Sequence, residues 1–280
     1  MKPLLVLFFL TALSGLAQED DRPVVKDSDV AVENVGKPSL PTLWIVGDST
    51  VKNSGASRGW GQDLPLFFDL TKINVINCAI GGRSSRSFIR EGRWQKVLDQ
   101  LKPGDFVLVQ FGHNDSGKID DPTRYRASLP GIGEETQEIT RDDGTRETVH
   151  TYGWYLRHYA RTAKAKGAAR VVLCSPIPHK QYDASGKFVP NGQRWQDYVS
   201  TCAREEKVDY VDLTGLVTRV YLTLDASVID GYFSDVRTHT TPAGALVNAT
   251  ALIGGLKALP GSPFAPFLNA KGRQADGSGL

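Results

Sequence analysis

"TLWIVGDST", residues 42–50, decides how the rest of the chain is read. Five apolar or β-favouring residues run into Gly-Asp-Ser-Thr, and there the hydrophobic pattern breaks. Gly, Asp and Ser are ordinary turn formers, so a plain strand end is one reading. The other is a nucleophile, Ser49, held at the tip of a rigid strand. The tetrapeptide alone leaves both open. Moving outward, similar apolar runs recur at "INVINCAI" (73–80), "DFVLVQFG" (105–112), "ARVVLCSPI" (169–177) and "DYVDLTGLV" (209–217). They are short, rich in β-branched residues and apolar on both faces, which predicts buried parallel strands.

Amphipathic segments separate these runs. Helices are predicted in "GWGQDLPLFFDL" (59–70), "SRSFIREGRWQKVLDQL" (85–101), "YGWYLRHYARTAKAKG" (152–167), "NGQRWQDYVSTCAREEK" (191–207) and "PAGALVNATALIGGLKAL" (242–259). Strand alternating with helix implies an α/β fold, a parallel sheet covered on both faces. Residues 116–150 break the rhythm. Such a long stretch without its own structure is unusual in a compact domain and is often functional. Within it, "TQEITRDDGTRETVHT" predicts a β-hairpin with Asp143-Gly144 in the turn. The insertion follows the third strand, on the edge where ligands bind in open α/β sheets, and is a candidate wall for a substrate site.

The N-terminus carries Lys2, then "PLLVLFFLTALSGL", then Ala17 before a polar stretch. That pattern predicts a signal peptide over 1–17. The apolar run falls short of the roughly 20 residues a spanning helix needs. A linker is expected over 18–41, one domain over 42–262 with the insertion at 116–150, and a C-terminal tail over 263–280 whose end, "NAKGRQADGSGL" (269–280), reads as frayed. The product would be secreted or periplasmic, with no membrane association after cleavage. A net charge of +2 over 280 residues gives no argument for a nucleic-acid partner. Cys78, Cys174 and Cys202 read as buried thiols, and no zinc-type spacing is present.

Four polar or glycine-rich breaks border the apolar segments: "GDST", "GGRSSRSF" (81–88), "QFGHND" (110–115) and "SDVRTHTTPAGA" (234–245). Strand C-termini of a parallel sheet share one edge, so the first three should meet. In order and spacing the four resemble the blocks of the SGNH (GDSL-type) hydrolase superfamily, over about residues 42–258. "GRSSRSF", "QFGHND", "YGWYLRHY" and "THTTPAGA" further resemble its rhamnogalacturonan acetylesterase branch. The resemblance implies a three-layer α/β/α sandwich with a flavodoxin-like parallel sheet. It implies Ser49 as nucleophile and His239 as base, with an oxyanion hole of the Ser49 and Gly82 backbone N–H groups and the Asn114 amide. It implies a carboxylic ester hydrolase that takes O-acetyl groups from an acetylated polysaccharide or oligosaccharide, most closely rhamnogalacturonan of pectin, with no metal or organic cofactor. Acetylated xylan, small esters, or non-catalytic glycan binding on the same scaffold are the alternatives.

The chemistry fits these residue types. A serine needs a neighbouring imidazole to take its proton as it attacks. Glycine lets backbone approach closely, and an asparagine amide is a neutral donor. The pattern departs from the family at the acid, which normally lies three residues before the histidine. That position is Val236; the nearest carboxylate, Asp235, is four before. A helical turn over 235–239 would bring Asp235 to His239. Without it, a backbone carbonyl would orient the imidazole in a Ser-His dyad. Asp48 is expected to be structural, because adjacent strand residues point to opposite faces. Arg83, His150 and Arg237 are the candidate substrate-binding residues, the arginines because guanidinium pairs with carboxylates in a bidentate manner. Trp60, Tyr152 and Trp154 are candidates for sugar stacking, with core packing the competing role of each.

Overall fold

The computed structural model describes residues 36–276; the predicted signal peptide and most of the predicted linker lie outside them. In chain order the first half runs β1 (Thr42–Gly47), β2 (Asn74–Asn77), α1 (Ser85–Arg90), α2 (Arg93–Leu98), β3 (Phe106–Gln110), β4 (Thr136–Thr140) and β5 (Arg146–His150). The second half runs α3 (Tyr152–Ala165), β6 (Arg170–Cys174), α4 (Gln193–Glu206), β7 (Asp209–Val211), α5 (Leu213–Tyr221), α6 (Ala226–Gly231), α7 (Pro242–Lys257) and α8 (Ala270–Gln274). Five parallel strands form one sheet in the order β2-β1-β3-β6-β7, and β4 and β5 form a separate antiparallel hairpin. Without the hairpin this is the 2-1-3-4-5 order of flavodoxin-like sheets, whose switch point lies between the first and third strands. Both strands flanking that point end in a predicted site block.

The apolar runs are continuous because alternate residues enter two different cores. Leu43, Ile45, Phe106, Leu108 and Val172 join a layer with Leu252, Ile253 and Leu256 of α7. Trp44, Val46, Val107, Val109 and Leu173 join the opposite layer with Phe88, Trp94 and Tyr159. A strand buried on both faces has no position where a polar residue is free to sit, which explains the missing period-two signal.

Several segments differ from their sequence reading. Residues 59–70 form two short 3-10 turns, Trp60–Gln62 and Leu64–Phe67, because Pro65 supplies no N–H to continue a helix. The stretch 85–101 is two helices, not one, separated by the left-handed Gly92. Of "DYVDLTGLV" only 209–211 is strand; the Asp212 side chain then accepts from Gly215 N and starts α5. The C-terminal segment is docked rather than frayed. Phe264 and Leu268 are buried, and the Asn269 amide donates to Leu66 O and Phe68 O.

The hairpin forms as expected and is pinned to α1. Arg86 of α1 is buried, holds both carboxylate oxygens of Glu147 on β5 at 2.7 and 2.9 Å, and donates to the Ile119 and Ala127 carbonyls. One guanidinium thereby fastens both ends of the insertion to the helix that follows Gly82.

Candidate active site

Ser49 sits just past the end of β1, 4% exposed. The turn that presents it requires glycine at its base. A Cβ on Gly47 would lie 2.4 Å from Val51 Cγ2 and 2.7 Å from Gln110 O. Asp48 is fully buried and faces away from His239. Its Oδ1 accepts from Thr50 N at 2.8 Å and Thr50 Oγ1 at 2.7 Å, and its Oδ2 faces His113 Nδ1 at 3.4 Å. Burial opposes its ionisation, but the His113 imidazole and the Thr50 donors outweigh burial and keep the carboxyl below its ordinary range. Gln110 at the end of β3 donates to Thr50 Oγ1 and accepts from Trp60 Nε1, closing a buried polar girdle under the serine.

Ser49 Oγ lies 2.8 Å from His239 Nε2, and His239 Nδ1 lies 2.5 Å from Asp235 Oδ2. The acid therefore reaches the imidazole from four residues upstream, but not through the helical turn expected from the sequence. Residues 234–238 form a series of bends. They are held because the other carboxylate oxygen, Asp235 Oδ1, accepts from three backbone groups, Arg237 N, Thr238 N and His239 N. Partial burial works against the charge, yet those three donors and the adjacent His239 leave Asp235 below the ordinary carboxylate range. The extra residue relative to the family spacing bulges outward as Val236, 86% exposed.

The remaining blocks meet at the same edge. Ile80 N donates to Gly47 O, tying the loop after β2 to the end of β1. Gly82 adopts a left-handed φ of +77°, which L side chains rarely tolerate. Asn114 Nδ2 donates to Arg83 O at 2.9 Å, so the amide is held beside the Gly82 peptide with one N–H remaining. Among the described residues, neither Ser49 N nor Gly82 N has an acceptor. Behind Asn114, fully buried Asp115 accepts from Ser85 Oγ at 2.5 Å and from Ser85 N, fixing α1 against this loop. Burial lifts its pKa to about 7, despite those donors.

Chemically, this arrangement can move a proton from a hydroxyl to an imidazole backed by a carboxylate, with neutral donors placed beside the reacting centre. Among the described residues no group of three or more His, Cys, Asp or Glu is placed to hold a metal ion. The three thiols are free and buried, and burial pushes Cys78 up to about 12 and Cys202 up to about 11.

The sequence-predicted substrate residues divide. Arg83 is turned to Glu91 Oε2 at 2.9 Å and to Gly81 O, so its guanidinium is engaged within the protein. His150 stacks on Trp154 at 3.7 Å between ring centres, and Trp154 in turn stacks on His158 at 5.2 Å. The indole is thus engaged by two imidazoles within the protein. Arg237 is exposed on the Asp235–His239 loop. Trp60 and Tyr152 are core residues that bond Gln110 and Phe111 O. One neighbour of the site was not singled out from sequence: His179 Nδ1 lies 3.1 Å from Thr238 Oγ1. Its signal was available, since "SPIPHK" leaves β6 at the same C-terminal edge as the other blocks.

Known proteins resemble this chain in sequence and in fold. The GDSL-like lipase/acylhydrolase family matches residues 45–247. A rhamnogalacturonan acetylesterase of Emericella nidulans is 36% identical over 212 residues, 76% of this chain and 83% of that protein. A probable rhamnogalacturonan acetylesterase of Bacillus subtilis, YesY, is 33% identical, covering 78% of this chain and 93% of its own. Among solved structures, the Bacillus subtilis protein YxiM superposes with a TM-score of 0.62 at 27% identity over 78% of this chain and 56% of its own. An acetylxylan esterase of Geobacillus stearothermophilus shares the fold, with a TM-score of 0.52 at 19% identity over 76% of this chain and 92% of its own. With its strand order, its four blocks and these relatives in agreement, the chain belongs to the GDSL-like lipase/acylhydrolase family and is a carboxylic ester hydrolase.

Proposed function

We propose that this protein is a carbohydrate O-acetylesterase that deacetylates rhamnogalacturonan of pectin through an acyl-enzyme. The observation that carries the reading is the unbroken chain from Ser49 Oγ to His239 Nε2 and from His239 Nδ1 to Asp235, at the switch point of the sheet. The substrate class is supported by the two relatives named as rhamnogalacturonan acetylesterases.

In this mechanism Ser49 Oγ attacks the acetyl carbonyl carbon while His239 Nε2 takes the hydroxyl proton. Asp235 holds the tautomer with the proton on Nδ1 and stabilises the imidazolium that forms. The negative charge on the carbonyl oxygen is met by Ser49 N–H, Gly82 N–H and the Asn114 amide. When the tetrahedral intermediate collapses, the sugar alkoxide leaves with the proton from His239, and Ser49 carries the acetyl group. Water then attacks the acyl-enzyme, giving its proton to His239. The second intermediate expels Ser49 Oγ, which recovers that proton, and acetate departs. The insertion at 116–150 is assigned as one wall of the substrate cleft, supported by its attachment to α1 through Arg86. Export through residues 1–17 belongs to the same reading and is supported by their sequence.

The test is acetate release from acetylated rhamnogalacturonan and acetylated xylan in parallel, with Ser49→Ala as control. Pectin-selective release that disappears in Ser49→Ala is expected. Xylan-selective release would replace the substrate. Release that survives in Ser49→Ala would overturn the nucleophile.

A further inference from the structure

Three of the four members of one polar column behind the site are sequence neighbours of the site residues, and His179 is the fourth. Asp48 precedes Ser49, His113 precedes Asn114, and Thr238 precedes His239. Asp48 Oδ2 faces His113 Nδ1 at 3.4 Å. The His113 ring meets the His179 ring edge to face at 5.0 Å. His179 Nδ1 meets Thr238 Oγ1 at 3.1 Å. His179 itself is rigidly mounted: Asn191 accepts from His179 N and donates to His179 O, both at 2.9 Å. Next to it, Lys180 N donates to Arg237 O at 2.8 Å.

We propose that His179 and Thr238 are positioning residues of the ester hydrolysis, holding the His239 loop in register with Ser49 through their hydrogen bond. The inference rests on the reading of Ser49, His239 and Asp235 as the catalytic triad. The physical reason lies in how that loop is restrained. Ser234, Asp235, Val236 and Arg237 are all exposed, and 234–238 has no helix or strand of its own. Apolar burial therefore does not fix it, and every residue left free to sample other conformations costs order at the site. Polar contacts do the fixing: Ser234 N and Oγ both donate to His239 O and close the base of the loop, and two clamps shape the span between them. One is internal, the Asp235 Oδ1 contacts to its own loop. The other is external, and Thr238 is its side-chain element. Because Thr238 and His239 share a peptide, movement of one moves the imidazole of the other. Burial pushes the pKa of His179 down to about 4. At neutral pH its ring therefore adds no positive charge beside Arg237, and Nδ1 is available to the Thr238 hydroxyl.

The test compares Thr238→Val, Thr238→Ser, His179→Ala and His179→Asn with the parent protein. The readouts are kcat and KM on an aryl acetate, Tm, and the rate at which a fluorophosphonate labels Ser49. Thr238→Val and His179→Ala should each lower kcat and the labelling rate by about tenfold, as expected for a misplaced base. KM should stay within about twofold, because the ground-state contacts are untouched. Thr238→Ser and His179→Asn, which keep a polar atom at the same position, should recover most of the rate. The Thr238→Val/His179→Ala double variant should be no slower than either single one, since both remove the same bond. Parental kcat and labelling in folded Thr238→Val and His179→Ala, or losses that simply add in the double variant, would overturn the proposal while leaving the triad reading intact. A fully active Ser49→Ala would instead remove the triad on which it rests.

Discussion

The two halves of the site are held in place by different physics. The nucleophile turn, Gly47 to Val51, grows out of a central strand and is buried throughout. Under it, Asp48, Thr50, Gln110 and Trp60 form a polar girdle with no exposed member. The base loop, Ser234 to His239, lies at the surface and is shaped by polar contacts, chiefly three backbone donors on the Asp235 carboxylate. Changing the first half should be felt mainly as lost stability, because unpaired buried groups destabilise the whole fold. Changing the second should be felt mainly as lost rate, because the loop contributes little to the core.

The sharpest way to break that contrast is at Asp235. Its two oxygens have separate tasks, so two substitutions separate them. Asp235→Asn can keep Oδ1 for the three backbone donors while presenting an amide to His239 Nδ1. The wrong tautomer should then lower kcat by about 10⁴ with Tm nearly unchanged. Asp235→Ala removes both contacts and should show a similar loss of rate together with a lower Tm. Near-parental activity in Asp235→Asn would show that the enzyme works as a Ser-His dyad. Steady-state kinetics beside thermal melts decide it.

Asn114 stands between the halves, at the end of β3 but 9% exposed at the site. Asn114→Ala removes one donor for the developing oxyanion and should reduce kcat by about 10²–10³, with KM little changed. A rise in KM with kcat preserved would place the amide on the ground-state substrate instead. At the buried half, Gln110→Leu leaves Trp60 Nε1 without its acceptor and Thr50 Oγ1 without its donor. A loss of about 1–3 kcal/mol is expected for such a stranded group. Urea unfolding should show this loss with a much smaller fall in kcat. If activity falls as steeply as in Asn114→Ala, the girdle is part of the catalytic geometry and the contrast fails.

What could be read in the sequence follows the same division. The sheet was legible because residues such as Val107, Leu108 and Val109 face two cores in turn and leave no polar gap. Ser49, Gly82, Asn114 and His239 were legible as a constellation because strand ends of a parallel sheet converge. Helix lengths were less so. Gly92 and Pro65 interrupt segments whose apolar spacing continues past them. The Asp235–His239 contact was anticipated, but by a helical turn, since spacing alone does not reveal that a carboxylate can organise its own loop. The docking of the C-terminal segment was missed because the short run "PFAPFL" (263–268) is broken by Pro266 and carries neither a helical nor a strand period. His179 carries no periodic signal, and only its position after β6, at the C-terminal edge of the sheet, points toward the site.

Asp115 offers the finest test, because it belongs to the buried half yet lies one residue from Asn114. Burial raises its pKa from 3.8 to about 7, against the opposing pull of the Ser85 donors. A carboxyl whose folded pKa is raised favours the folded state most when protonated. Its contribution is complete below about pH 4, the ordinary aspartate range, and is lost as pH rises through about 7. His179 runs the other way. Its folded pKa is depressed to about 4, so its contribution is complete above about pH 6.5 and is lost as pH falls through about 4. The two therefore offset each other between those limits, and the parent's own melting curve will not isolate either. Asp115→Asn keeps an oxygen for Ser85 but cannot ionise. Measured at several pH values from 4 to 8, its Tm should gain on the parent as pH rises, with most of the gain between about pH 4 and 7 and little beyond. A Tm difference that is flat across that range would mean that Asp115 is charged in the folded protein, and that the buried half of the site tolerates a carboxylate where its packing says it should not.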